Sequence, residues 1–146
     1  MLKHRFRAFG VLVGMLCLVL PFGGTASATS ASFTAASLPW SSGPVNICIG
    51  GELCGLNDTV TVNVPSQSYI RYVQVNAHDN VGNVHDATLR VYVDGTLRGS
   101  QDVKAAGSTL IFTIQAPGNQ IVFRSVRSGN SAGDETVLTD IQVLNS

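Results

Sequence analysis

Lysine is almost missing from this chain. Lys3 and Lys104 are the only two, and charged residues of every kind make up 12% of the 146. Nine basic side chains match nine acidic ones, but Lys3, Arg5 and Arg7 all stand in the first seven residues, and no carboxylate precedes Glu52. Without that N-terminus, six basic residues face nine acidic ones, a net charge of −3. So few cations leave no basic cluster, which nucleic acids and anionic membranes both require. Neither is an expected partner. A helical period is also lacking: no stretch keeps apolar residues at 3.6-residue spacing over three turns, and this argues against a helical fold.

A membrane-spanning run is absent too. Residues 11–22 (VLVGMLCLVLPF) are apolar, but a spanning helix needs about 20 such residues, and this run breaks at Pro21. It follows the basic residues 1–10 and precedes Ala26-Ser27-Ala28. That order of charged, apolar and small-residue segments predicts a secretory signal peptide over residues 1–28, cut after Ala28. Cys17 has no small residue just before it, which argues against a lipid anchor. The expected product is secreted and extracellular, with no membrane attachment after cleavage.

Cleavage leaves two cysteines, Cys48 and Cys54. An even pair in an oxidising compartment predicts a structural disulfide. The loop it closes is small, so on the loop-entropy model it contributes about 2–3 kcal/mol. It staples a loop and does not define the fold. Residues 29–44 are rich in Ser, Ala and Thr without sustained period, and read as an extended or partly disordered leader before a domain at 45–146. Trp40, the single tryptophan, has two readings: a ring tucked against the domain edge, or a platform for a sugar.

What the chain does have is short β-branched and aromatic runs separated by turn residues. Thr59–Val64 alternates until Pro65. Tyr69–Ala77 places Val73, Val75 and Ala77 on one face, and Ala87–Val93 does the same with Leu89, Val91 and Val93. Asp94-Gly95 then marks a tight hairpin, with Leu97–Val103 as the return strand. Thr109–Gln115 and Gln120–Arg127 flank an expected turn at Ala116–Asn119. Thr136–Leu144 closes the chain, with Val137, Thr139, Ile141 and Val143 expected on one face. About eight strands so arranged predict an all-β, antiparallel β-sandwich of jelly-roll type.

The segments LRVYVDGTLRGSQDV (residues 89–103) and TDIQVL (residues 139–144) resemble the galactose-binding-like jelly roll of many carbohydrate-binding modules, in particular small calcium-dependent ones. The resemblance covers roughly residues 70–146, without the exposed tryptophan those modules often show there. It implies non-catalytic binding of an extracellular glycan, with calcium held by loop oxygens.

The densest polar stretch is residues 78–86 (HDNVGNVHD), expected as a loop at one end of the sandwich. Asp79 and Asp86 offer carboxylates and Asn80 and Asn83 amide oxygens, with Asp134 and Glu135 as further donors from before the last strand. Calcium takes six to eight oxygens, and this set is of that kind. Two other readings stand beside it: a solvated loop whose Asp and Asn satisfy their own backbone, and a zinc or copper site through His78 and His85 that lacks a third nitrogen or sulfur ligand. Tyr72 and Tyr92 fall out of step with the inward valines and are candidate sugar-stacking residues. The strand arginines read as a solvated face or as partners for a sugar acid. A protein-binding adhesive domain is the alternative function. A small hydrolase using Asp79 or Asp86 with Glu135 is a further one, but no nucleophile-elbow pattern surrounds any serine, and an enzyme is not expected.

Overall fold

The computed structural model describes residues 29–48, 57–79, 87–127 and 135–146. Among the described residues every regular element is a strand: β1 (Thr29–Thr34), β2 (Trp40–Ser42), β3 (Val45–Cys48), β4 (Asn57–Asp79), β5 (Ala87–Val93), β6 (Thr96–Asp102), β7 (Ser108–Arg127) and β8 (Glu135–Leu144). The all-β sandwich of about eight strands is what the chain forms. The expected signal peptide and most of the 78–86 loop lie outside the described residues.

Hydrogen bonding runs in the order β2-β8-β3-β4-β7-β5-β6, with β1 beside β4. Two long strands turn this ribbon into two layers. Pairing between β4 and β7 lapses between Asn63 and Ser68, where Pro65 has no N–H to give to a ladder and Gln67 takes a positive φ of 54°. β7 bends in step at Gln115, φ 51°. The first half of β4 lies between β1 and the second half of β7, whose far side carries β5 and then β6. The second half of β4 lies between the first half of β7 and β8, and β8 carries β2 and β3. Pairing is antiparallel except where β1 and β3 meet β4. Ala116–Asn119, expected as a turn between two strands, is a corner inside β7.

Alternation along each strand fills the space between the layers. Val60, Val62, Val73 and Val75 of β4, Leu89 and Val91 of β5, Ile121 and Phe123 of β7, and Ile141 and Val143 of β8 are all 0% exposed and belong to one cluster. Side chains of this size contribute about 1.5–3 kcal/mol each on full burial.

Within residues 29–44, expected as a leader outside the domain, β1 and β2 pair into the sandwich. Ala31 and Phe33 stand opposite Val60 and Val62 and pack on the core, with Ser30, Ser32 and Thr34 at the alternate positions. The face expected for the last strand also needs correcting. Opposite β4 the register slips between Asp140 and Leu138, leaving Thr139 as the extra residue. A bulge reverses the facing of everything beyond it. The inward set is therefore Thr136, Leu138, Ile141 and Val143, and Thr139 is exposed.

Candidate functional site

Strand register collects the polar segments at one end of the sandwich. β4 ends at Asp79 opposite Thr136 of β8, and Cys48 of β3 stands opposite Glu135. β5 begins at Ala87 opposite Arg127 of β7, and Ser108, at the start of β7, faces Ala77. The strand ends adjoining residues 49–56, 80–86 and 128–134 therefore share this end, and the segments themselves lie outside the described residues.

The floor beneath them is polar. Asp79 is 4% exposed, and Ser125 and Thr136 are both 0% exposed. The Ser125 and Thr136 hydroxyls are 2.6 Å apart in a buried hydrogen bond, joining a strand of one layer to a strand of the other. Asp79 is the cross-strand neighbour of Thr136. All three occupy the inward phase, where the rest of their strands carry apolar side chains. The sequence holds this signal in Val73-x-Val75-x-Ala77-x-Asp79 and in Ile121-x-Phe123-x-Ser125. It is missed when Asp79 is counted with the loop that follows, and Ser125 and Thr136 were not singled out at all.

Of the expected metal donors, Asp79 is on this floor and the backbone of Glu135 lies one residue before Thr136. Asp86 and Asp134, with the amides of Asn80 and Asn83, fall outside the described residues, as does the disulfide partner Cys54. Among the described residues no three His, Cys, Asp or Glu side chains gather closely enough to hold a metal. The described donors at this end are the Asp79 carboxylate and the Ser125 and Thr136 hydroxyls, all oxygens, the kind of donor a hard cation takes. His78 does not join them. Alternation turns it away from Asp79, onto an outer depression of about 240 Å3 shared with Asn76, Gly107 and Thr139.

The aromatic candidates are separated. Tyr72 stands between Thr113 of β7 and Leu144 of β8, half-buried under the Arg71 guanidinium at 5.2 Å from its ring centre. Tyr92 belongs to the other layer, between Val122 of β7 and Leu97 of β6. β7 lies between their strands, so the two tyrosines form no common strip. Trp40 is half-buried, packs on the core edge and meets Phe33 at 6.1 Å between ring centres. One side of it borders an open depression of about 330 Å3 with Gln142 and Leu144.

No protein-family model matches the sequence, and no characterised protein matches it. Among solved structures, similarity extends to the tandem CBM51 modules of a family 98 glycoside hydrolase from Streptococcus pneumoniae, at 16% identity and TM-score 0.46 over 60% of this chain and 29% of that one. A family 43 arabinoxylan arabinofuranohydrolase from Bacillus subtilis matches at 14% identity and TM-score 0.47, over 69% and 21% of the two chains. A carbohydrate-binding module, CBM36, in complex with calcium and xylotriose matches at 10% identity and TM-score 0.42, over 73% and 93%. The chain spans less than a third of the length of the first two.

Proposed function

We propose that this chain is a secreted, non-catalytic carbohydrate-binding module that takes an extracellular polysaccharide at the end of the sandwich where Asp79 lies, with calcium held there. The observation that carries this reading is the burial of Asp79, a carboxylate 4% exposed at the end where the strands flanking residues 80–86 and 128–134 come together. Proteins keep such a group inside only where hydrogen bonds, a countercharge or a cation compensate its desolvation. Asp86, Asp134 and Glu135 are its proposed companions as ligands, and Asn80 and Asn83 the proposed sugar contacts. A calcium ion there offers a positive pole to the paired hydroxyls of a sugar. Secretion rests on residues 1–28, and a Cys48–Cys54 disulfide belongs to the same reading.

Thermal unfolding in calcium and in chelator tests the reading, followed by retention on a panel of polysaccharides. A ligand bound only to the folded state stabilises it by about 2.7 kcal/mol at a hundredfold excess over Kd, a rise in Tm of several degrees. Asp79→Asn is expected to abolish that rise and the retention while keeping the β-sheet circular dichroism. Equal Tm and equal retention with and without calcium would remove calcium from the reading. Absence of retention on every polysaccharide would remove glycan binding itself.

A further inference from the structure

Midway along β5, the outer face of the layer built by β5 and the second half of β7 carries two arginines side by side. Arg90 and Arg124 are direct cross-strand partners. Facing residues of neighbouring strands have Cβ atoms about 4.5–5.5 Å apart, and like charges so placed repel. Nothing among the described residues offsets this pair: neither guanidinium has an ion-pair or aromatic partner there. Arg71, by contrast, is seated on the Tyr72 ring. The pair is flanked by hydroxyls, Thr59 next to Arg124 and Ser100 next to Arg90. Asp102, on the neighbouring strand, stands opposite Thr88 and accepts its hydroxyl at 2.9 Å.

One row further along the strands, Tyr92 lies between Val122 and Leu97, and Leu97 is 49% exposed. Rows on one face of a strand are separated by two residues, roughly 7 Å, about the width of a sugar ring. A twin guanidinium beside an apolar platform at that spacing suits a ligand with an anionic group on one edge and a C–H face on the other. Beyond Ser100 the surface falls into an open groove of about 540 Å3 between β6 and the start of β7, whose lining holds Asp102 as well as Lys104. The row thus has room for more than one residue of a chain.

We propose that this face, centred on Arg90, Arg124 and Tyr92, is a second glycan subsite that selects acidic polysaccharide. The two arginines hold a uronate carboxylate or a sugar sulfate, and Tyr92 stacks against the ring. Planar guanidinium forks bind carboxylate and sulfate oxygens two at a time, and occupation by an anion relieves the Arg90–Arg124 repulsion. The proposal rests on the reading of the chain as a glycan binder but not on calcium.

Calorimetric titration of the purified protein with trigalacturonate in chelator, and with xylotriose in calcium, separates the two sites. Trigalacturonate is expected to bind without calcium and more weakly as salt rises. Arg124→Gln and Arg90→Gln should each weaken it about tenfold, the loss of one charge-assisted contact. Arg124→Lys should fall between, since it keeps the charge without the fork. Asp79→Asn should leave this arm unchanged. Trigalacturonate binding indifferent to both Gln variants would overturn the proposal. So would equal affinity for a short poly-glutamate, which would make charge alone, and an acidic peptide, the better reading. Absence of trigalacturonate binding ends only this subsite, whereas the glycan reading as a whole falls only if the polysaccharide panel also shows no retention.

Discussion

Gly99 on β6 has no side chain because the ring of Phe112 occupies its place: an added Cβ would stand 2.5 Å from Phe112 Cδ1. Phe112 is 3% exposed and held in the core, so its ring cannot swing away as a surface side chain would. Gly99→Ala is expected to cost about 1–3 kcal/mol, as overpacking does, and to lower Tm in calcium and in chelator alike. The Ser125–Thr136 hydroxyl pair behaves differently. Ser125→Ala leaves the Thr136 hydroxyl in a fully buried place without this bond, at about 1–3 kcal/mol. Removing both hydroxyls with Ser125→Ala and Thr136→Val should cost clearly less than the two single losses together. A double-mutant cycle in denaturant measures that coupling. Additive losses would mean that the 2.6 Å contact contributes nothing to stability.

Between elements, the hairpin of β5 and β6 turns at Asp94 and Gly95, both at positive φ, 46° and 77°. That geometry is the reason for an Asp-Gly pair, and the turn was readable from two letters of sequence. Its second task was not. The Asp94 carboxylate accepts the backbone N–H groups of Asn119 and Gln120 at 3.1 and 2.9 Å, and the Asn119 side chain accepts the N–H of Gln67 at 2.9 Å. One carboxylate and one amide thus clasp the hairpin to the corners of β7 and β4. Asp94→Ala should cost about 1–3 kcal/mol, the penalty for leaving such groups without their partner. Asp94→Asn should cost less, since Asn tolerates the left-handed backbone and keeps an acceptor; chemical denaturation of both variants checks the order. The same contrast runs through the other strands. The facing of Val73, Leu89 and Val91 follows from local alternation and was legible. The bulge at Thr139 and the corners at Gln67 and Gln115 depend on what each strand meets across the sheet, and no local pattern announces them. β1 escaped notice because only Ala31 and Phe33 mark its inward face, too few apolar residues to set a period.

At the scale of the whole molecule, the sandwich has two differently built ends. Asp79, Ser125 and Thr136 lie at one end, and the Asp94 clasp lies at the other. β5 runs from Ala87 to Val93 between them, seven residues or roughly 23 Å of strand. The oxygen donors of the first end were legible as residue types, because Asp and Asn crowd residues 78–86. That the strand ends flanking them share one end of the sandwich was not, since it depends on the register of β3, β4, β5, β7 and β8 together. The separation of Tyr72 and Tyr92 has the same origin: both step out of phase with the inward valines, but the sheet inserts β7 between their strands. Two ends this far apart, with no shared partner among the described residues, should act independently. Asp79→Asn and Asp94→Ala combined should lower stability in chelator by the sum of the single effects, within about 0.5 kcal/mol. Calcium should then separate them, because Asp94→Ala keeps the whole calcium-dependent rise in Tm and Asp79→Asn loses it, alone or combined. The measurement is four proteins unfolded in two buffers. A calcium response reduced by Asp94→Ala would mean that the clasp sets the geometry of the distant end, and the two ends would have to be treated as one coupled unit.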